Sequence, residues 1–409
     1  MTRQRQSVLI IGGGIAGLTA ASHLARRDMD VLLLEKDAFL GGNAINYTCK
    51  ATEQCEKCDA CTVEKMLKDV SQDPRITVFL GSELESVQAN GGFEVTVRSR
   101  PLFDSPEEQA VLAKAYSRCP VPGALRRGSS KNNWPLYAIN PDRLEELAAR
   151  KEECFPHDTI DLEQQSSTHS LQADAILVAS GFSPFDPTLK PTYNFANQQN
   201  LVTALDMELT KKSHGRYLRP SDQTQPGRLA FIQCVGSRNE DLGNLWCSQV
   251  CCPYALRMAE SVKHESPEAE VTVFYMDIQN IGKDSPAFYS KCRENLRFVR
   301  NMPVDIYTAE DGGLVVSYLD ETETKITHEP FDLVVLSVGI SPNRDNPELS
   351  RILNLPLNGD GFFAAGHNGS APHGVFAAGT ATGPKSIAGS MAQAGQAVHD
   401  VLKYLGERK

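Results

Sequence analysis

Eight of the eleven cysteines in this chain fall in two tight groups: Cys49, Cys55, Cys58 and Cys61, then Cys234, Cys247, Cys251 and Cys252. Sulfur at this density means soft-metal or redox chemistry, because thiolates ligate iron–sulfur clusters and zinc and close pairs exchange two electrons as dithiols. In the second group a strand-like run at 229–233 ends on Cys234, and Cys251 and Cys252 precede a segment at 253–263 with apolar residues at helical spacing. The run at 269–275 reads as the next strand. A strand end, its loop and the following helix start meet in a βαβ unit, and a helix N-terminus favours thiolate charge. Adjacent cysteines fit poorly with the Cys-x-x-Cys hairpins of structural zinc. An iron–sulfur cluster is the favoured reading, with zinc or buried dithiols as alternatives. The first group, Cys-x5-Cys-x2-Cys-x2-Cys, predicts a second cluster or a redox dithiol.

These cysteines need a scaffold, and the scaffold is written in two strand–turn–helix units. At 234–240 the second unit reads Cys-Val-Gly-Ser-Arg-Asn-Glu, not Gly-x-Gly-x-x-Gly, so a pyrophosphate has no close backbone approach and NAD(P)H binding is not expected there. The first unit keeps its glycines. A strand at 7–11 leads to Gly12, Gly14, Ile15, Ala16 and Gly17, then to a helix at 18–25. That arrangement aims backbone N–H groups and a positive helix end at a pyrophosphate. A second strand at 31–34 ends in Glu35, with Lys36 beside it. The carboxylate would accept from a ribose and repel a 2′-phosphate, which favours FAD or NAD over NADP.

The later segments choose between them. Gly41, Gly42 and Asn43 follow the first unit, and 374–386 contains Gly379, Thr380, Lys385 and Ser386 ahead of a helix-like run. The latter resembles the second FAD motif of the glutathione/thioredoxin-reductase-like flavoproteins, although that family usually has Asp where Thr380 stands. Two strand-to-glycine runs, 175–181 and 333–339, match that family's crossovers between two nucleotide domains. The resemblance implies an α/β fold with two Rossmann-like domains, the FAD domain discontinuous. It adds Ala179, Ser180, Gly181 and Val87 to the FAD contacts. From their position, Lys385 and the amides around Ser386 are either groups that favour electron density on a reduced flavin or, for Lys385, a solvated side chain. The expected units are 1–100 with 171–205 and 336–409 for FAD, 101–170 as an insertion, and 206–335 as the second α/β domain.

Composition narrows the classes. A formal charge of -10 disfavours a nucleic-acid surface. No run of about 18 apolar residues marks a membrane span, and the basic start leads into a glycine-broken strand, not a cleavable signal. A cytoplasmic location follows, and reducing cytosol argues against a disulfide framework. Cys119, Cys154 and Cys292 stand apart from the groups, Cys292 as a structural thiol.

Taken together, Ile-Gln-Cys-Val-Gly-Ser-Arg at 232–238, Cys-Ser-Gln-Val-Cys-Cys-Pro-Tyr-Ala at 247–255 and the Gly-Pro-Lys at 383–385 resemble the A subunit of heterodisulfide reductase. The resemblance implies FAD and an unusually coordinated [4Fe-4S] cluster on Cys234, Cys247, Cys251 and Cys252; the N-terminal group stays open between a second cluster and a redox dithiol. Segments at 117–122, 137–142 and 153–160 resemble that family's ferredoxin insertion with only Cys119 and Cys154 left, a degenerate remnant serving as a docking surface. The chain ends at Lys409 without the C-terminal ferredoxin module. This short form looks most like the A subunit of the heterodisulfide-reductase-like complex of sulfur oxidisers, a homodimer with B- and C-like electron partners. The flavin subunit of a quinone-interacting sulfate-reduction complex, a non-catalytic scaffold and a free-standing NAD(P)H-dependent disulfide reductase are the alternatives.

Overall fold

The computed structural model describes residues 5–407 apart from 117, 122, 130–134, 156–159, 163–164, 280–284, 311, 321–323 and 365–372. Ser117, Pro122 and 156–159 of the expected insertion, with the basic flank at 1–4, lie outside the described residues.

The first half begins with β1 (Ser7–Ile11), buried from Val8 onward, and α1 (Ile15–Ala25), buried on nearly every face. β2 (Asp30–Leu34) follows, then a 3-10 turn at Gly42–Asn46. α2 (Thr62–Gln72) turns Val63, Met66 and Val70 inward at helical spacing before β3 (Ile76–Phe79). β4 (Ser82–Ala89) and β5 (Phe93–Ser99) form an antiparallel pair that β8 (Ser167–Ala173) later joins. Between them lies the insertion: α3 (Pro106–Tyr116), the hairpin of β6 (Leu125–Ser129) and β7 (Pro135–Ile139), α4 (Leu144–Ala149) and α5 (Lys151–Cys154). β9 (Ala175–Val178) and β10 (Phe182–Pro184) then lead out.

The second half runs β11 (Leu201–Thr203), α6 (Ala204–His214), β12 (Arg228–Val235), α7 (Cys251–Glu265), β13 (Glu270–Phe274), α8 (Ser285–Asn295) and β14 (Arg297–Val299). Thr203 and Asp206 cap α6 reciprocally, satisfying N–H groups that a helix start leaves open. A meander of β15 (Asp305–Thr308), β16 (Leu314–Asp320) and β17 (Lys325–Phe331) precedes β18 (Leu333–Val338) and β19 (Ile340–Pro342). α9 (Asn346–Leu353), β20 (Val375–Ala377) and α10 (Ile387–Glu407) complete the described part.

Two parallel five-stranded sheets carry the architecture, in the orders β20-β9-β1-β2-β3 and β11-β18-β12-β13-β14. Strands buried on both faces read as continuous apolar runs, as in β9, β12 and β18. Each sheet is covered by helices on one face and by a three-stranded antiparallel sheet on the other. Leu177 and Val8 pack toward α1 and α10, whereas Leu9 and Val178 face β5. Phe231 and Val335 pack toward α7, whereas Ile232 and Val334 face β16. The first sheet takes strands from the beginning, middle and end of the chain. β11 and all of β18 belong to the second sheet, although the FAD unit drawn from sequence includes 201–203 and 336–338; Thr203, Ala204, Leu205 and Val338 nonetheless line the large cleft.

The insertion has its own small core of Leu112, Ala115, Ala124, Leu147 and Phe155. Within it Cys119 and Cys154 form a disulfide, with Cα atoms 4.3 Å apart. No disulfide framework is expected from the sequence, and this disulfide comes from the fold-back of α5 against the end of α3, which brings the two sulfurs together. Cys292 is a fully buried thiol in the core under α8.

Candidate functional site

In both sheets the strand ends that matter lie on the carboxyl side, where open α/β sheets bind ligands. A cleft of about 1020 Å³ runs there from the first sheet toward the second, a size that suits a dinucleotide.

At its floor the turn after β1 holds Gly12 at φ 106, and a Cβ there would lie 2.3 Å from the Ala179 carbonyl oxygen. α1 has no side-chain cap and no acidic residue in its first turn, so its first N–H groups face the cleft at Gly14, Ile15 and Ala16. Gly42 stands against Gly14, where a Cβ would come within 3.0 Å of the Gly14 Cα. Glu35 is buried and accepts from Gly13 N at 2.7 Å and Asp37 N at 2.8 Å. Burial, reinforced by the neighbouring Asp37, raises its carboxyl to about 7. Lys36 lines the cleft but is bound to Asp345 at 3.0 and 3.1 Å. Gly41 and Asn43 lie along the same wall, the latter donating to Phe182 O at 3.3 Å.

The opposite wall comes from the crossovers and the late part of the chain. Ala179, Ser180 and Gly181 line it after β9, and Thr380, Lys385 and Ser386 after β20. Lys385 donates to Gly379 O at 3.1 Å and Gly383 O at 2.8 Å, and burial lowers its pKa. Its ammonium is thus held by the loop that precedes α10. Three expected contacts do not reach the cleft. Gly17 packs under the turn against Gly12 O, and Gly379 admits Ala16, whose Cβ would be 2.6 Å from one added there. Val87 packs beside the first sheet's core. A bulge between Leu84 and Ser86 turns Leu84 and Glu85 to the cleft in its place.

Sequence reading missed a whole wall. Tyr116, Leu125, Arg126, Arg127 and Asn140 of the insertion line the cleft, and Arg126 is ion-paired with Asp37, two residues after Glu35. Nothing in the sequence marks them as cleft residues, although Asn140 falls in the 137–142 segment read as part of the insertion, since their role depends on the insertion folding back over the first sheet.

The second unit ends differently. Cys234, Cys247, Cys251 and Cys252 line one small cavity of about 10 Å³, together with Ser237, Ser248, Gln249 and Gln279. Three residues around it, Cys234, Arg238 and Gln249, hold left-handed φ of 56°, 52° and 62°. Such strain in side-chain-bearing residues persists only where surroundings over-determine it, and it concentrates at working sites. The flap from 236 to 250 is fixed by Asn244 Nδ2 on Gly236 O at 3.0 Å and Trp246 Nε1 on Ile340 O at 2.9 Å. Gly236, at φ 79, lies directly against the Phe185 ring, which fills the space over the turn.

Burial raises the Cys234, Cys251 and Cys252 thiols, Cys252 to about 12, and their mutual repulsion adds to the effect. Only a strongly electrophilic partner would hold these three sulfurs as thiolates. Gln249 N donates to Cys247 Sγ at 3.3 Å. The donor set fits an iron–sulfur cluster in type and number, with Cys234, Cys251 and Cys252 buried and Cys247 half-buried. Among the described residues no three His, Cys, Asp or Glu side chains converge as they would on a single ion. Cys251 and Gln249 line both the cavity and the large cleft.

The N-terminal cysteines are arranged otherwise. Cys49, Cys55 and Cys61 are exposed, while Cys58 is half-buried on the wall of the cleft. Among the described residues they share no common cavity. No described helix is long and apolar enough to cross a membrane.

Residues 10–62 match the model of an NAD(P)-binding Rossmann-like domain. The chain is 33% identical over 430 residues to the A subunit of the ferredoxin/F420H2-dependent CoB-CoM heterodisulfide reductase of Methanosarcina acetivorans, covering 99% of this chain and 54% of that one. It is 34% identical over 414 residues to the iron-sulfur A subunit of the CoB-CoM heterodisulfide reductase of Methanocaldococcus jannaschii, covering 95% and 63%. It therefore spans between about half and two thirds of these relatives. Among solved structures, the thioredoxin reductase of T. acidophilum superposes with a TM-score of 0.55 at 14% identity, over 99% of this chain and 100% of that one. That of Lactococcus lactis gives 0.55 at 15%, over 98% and 100%. The chain thus has a thioredoxin-reductase-like fold and is homologous, over nearly all of its own length, to the A subunits of heterodisulfide reductase.

Proposed function

We propose that this chain is an oxidoreductase, the FAD- and [4Fe-4S]-containing electron-transfer subunit of a heterodisulfide-reductase-like complex in cytoplasmic sulfur metabolism. B- and C-like subunits are its electron partners, with a homodimer of this chain at the centre. The observation that carries the reading is the shared wall: Cys251 belongs both to the four-cysteine cavity and to the dinucleotide cleft. A bound flavin converts between two-electron and single-electron chemistry, and a cluster carries single electrons.

The residues divide the work. The N–H groups at the start of α1 would hold the pyrophosphate, and Glu35 the ribose. Cys234, Cys247, Cys251 and Cys252 would be the cluster ligands, with the N-terminal group as a second set. The burial of Cys234, Cys251 and Cys252 excludes water, and the Gln249 amide tunes Cys247 through its hydrogen bond. The Phe185 ring over Gly236 supports the absence of a nicotinamide nucleotide from the second unit.

The test is iron, acid-labile sulfide and flavin per chain on anaerobically purified protein. About four irons and four sulfides per FAD are expected from the buried set alone, and about eight if both sets are filled. Flavin without iron in protein never exposed to air would overturn the reading. Flavin bleached by NADH would favour a free-standing disulfide reductase.

A further inference from the structure

The loop that carries the N-terminal cysteines reaches across to the second sheet and is held there by buried charge. Lys50 and Glu208 of α6 are ion-paired with side chains 2% and 0% exposed. The other Glu208 oxygen accepts from Thr48 N at 2.9 Å and Thr48 Oγ1 at 2.6 Å, and Lys50 Nζ also donates to Thr48 O at 2.9 Å. The Lys50 ammonium lies 5.2 Å from the centre of the Tyr254 ring, which in turn packs against Tyr47. Further along, Glu56 accepts from Lys291 of α8 at 3.1 Å, and its carbonyl accepts from Arg257 of α7 at 2.7 Å. One loop is therefore tied to three helices, and one of them, α7, begins with Cys251 and Cys252. Beyond the ties, Cys58 on the cleft wall is flanked by Lys57 at φ 50 and Asp59 at φ 60.

Stability alone does not explain a fully buried ion pair. Desolvating both charges costs several kcal/mol per ion, and apolar residues of the same volume would serve as well or better. What such a pair does supply is register, because only one seating of the loop satisfies both charges and the Thr48 N–H. We propose that Lys50 and Glu208 form a positioning clasp that seats the N-terminal cysteine loop on α6, beside the α7 helix that begins with Cys251 and Cys252. It fixes the separation across the cleft between Cys58 and Cys251. The proposal rests on the electron-transfer reading, in which that separation governs how electrons pass, but the clasp itself requires no metal.

The test compares hydrogen exchange of residues 47–60 and tryptic nicking after Lys57 in the full, flavin-loaded chain. In Glu208→Gln the Lys50 charge is left buried without its counter-charge, and both rates are expected to rise roughly tenfold or more, with flavin content and exchange in α1 and α10 unchanged. In the double variant Lys50→Met/Glu208→Gln no charge remains and the new amide still accepts from Thr48 N–H. Both rates are expected to return to within about twofold of the parent. Should Glu208→Gln fail to fold, Thr48→Val, which removes one hydroxyl donor, is expected to loosen the same segment about threefold. Unchanged exchange in a flavin-loaded single variant would overturn the proposal. So would loosening that spreads through α6 and the second sheet and is not rescued by the neutral pair. Exchange reads the loop whatever the cysteines hold, so a failed clasp and a failed cluster assignment are told apart by exchange on one side and iron content on the other.

Discussion

The turn after β1 and the turn after β12 occupy the same place in two copies of one layout, yet their surfaces are opposites. The first is bare backbone: Gly12, Gly14 and an uncapped α1 leave an open concavity. The second is filled: Phe185 covers Gly236, a flap folds over, and four cysteines line a small cavity where N–H groups would otherwise face a phosphate. A βαβ unit thus supplies a helix N-terminus at a strand end whatever the ligand. Side-chain volume at the turn decides whether an anion or a thiolate set receives it.

If the two ends are independent, they can be emptied one at a time. The largest effect is expected for Cys251→Ser: iron and sulfide at the buried set should fall close to zero with flavin retained, measured on anaerobic protein. Simultaneous loss of flavin would show that the shared wall couples the two sites. Gly12→Val is the mirror experiment. Its Cβ would meet the Ala179 carbonyl at 2.3 Å with φ at 106°, so flavin per chain should drop about tenfold or more while iron remains.

A smaller effect is expected at the filled turn. Gly236→Ala forces a Cβ into the Phe185 ring at φ 79°, and should cost about 2–3 kcal/mol and lower the thermal midpoint by several degrees. A midpoint unchanged by this substitution would mean that the ring does not seal the turn. The smallest effect concerns pH. Glu35 in the folded chain titrates near 7 because burial disfavours its charge, against about 4.5 when unfolded. The folded state therefore binds the extra proton between those values, and the contribution to stability of the flavin-free chain falls as pH rises from about 4.5 to about 7. Ribose hydroxyls require the ionised form, so flavin affinity should rise over the same window and level off above it. Flavin titrations at pH 6 and 8 check the sign, and Glu35→Gln should flatten the profile.

Legibility followed locality. The first turn, the crossovers β9 and β18 and the grouping of Cys234 with Cys251 and Cys252 could all be read, because each depends on a strand, a short turn and a helix close in sequence. Val87 was misplaced because strand periodicity is two and the bulge at Leu84 and Ser86 shifts which residues face the cleft. Nothing in the sequence pattern marks Arg126 and Asn140 as cleft residues, since the fold-back of the insertion makes them so. The same fold-back pairs Cys119 with Cys154. The Lys50–Glu208 contact joins positions far apart in the chain, and no periodicity could announce it.

The order of strands in the first sheet also bears on how the protein comes into being. β20 is the edge partner of β9, and α10 packs on α1, yet both leave the ribosome long after the elements they cover. One wall of the cleft, at Thr380, Lys385 and Ser386, does not exist until they emerge. Cofactor capture therefore comes late in the life of the nascent chain. A chain stalled before β20 would present the β9 edge and the apolar flank of α1, an unpaired template for strand addition that a cell must shield until the missing elements arrive.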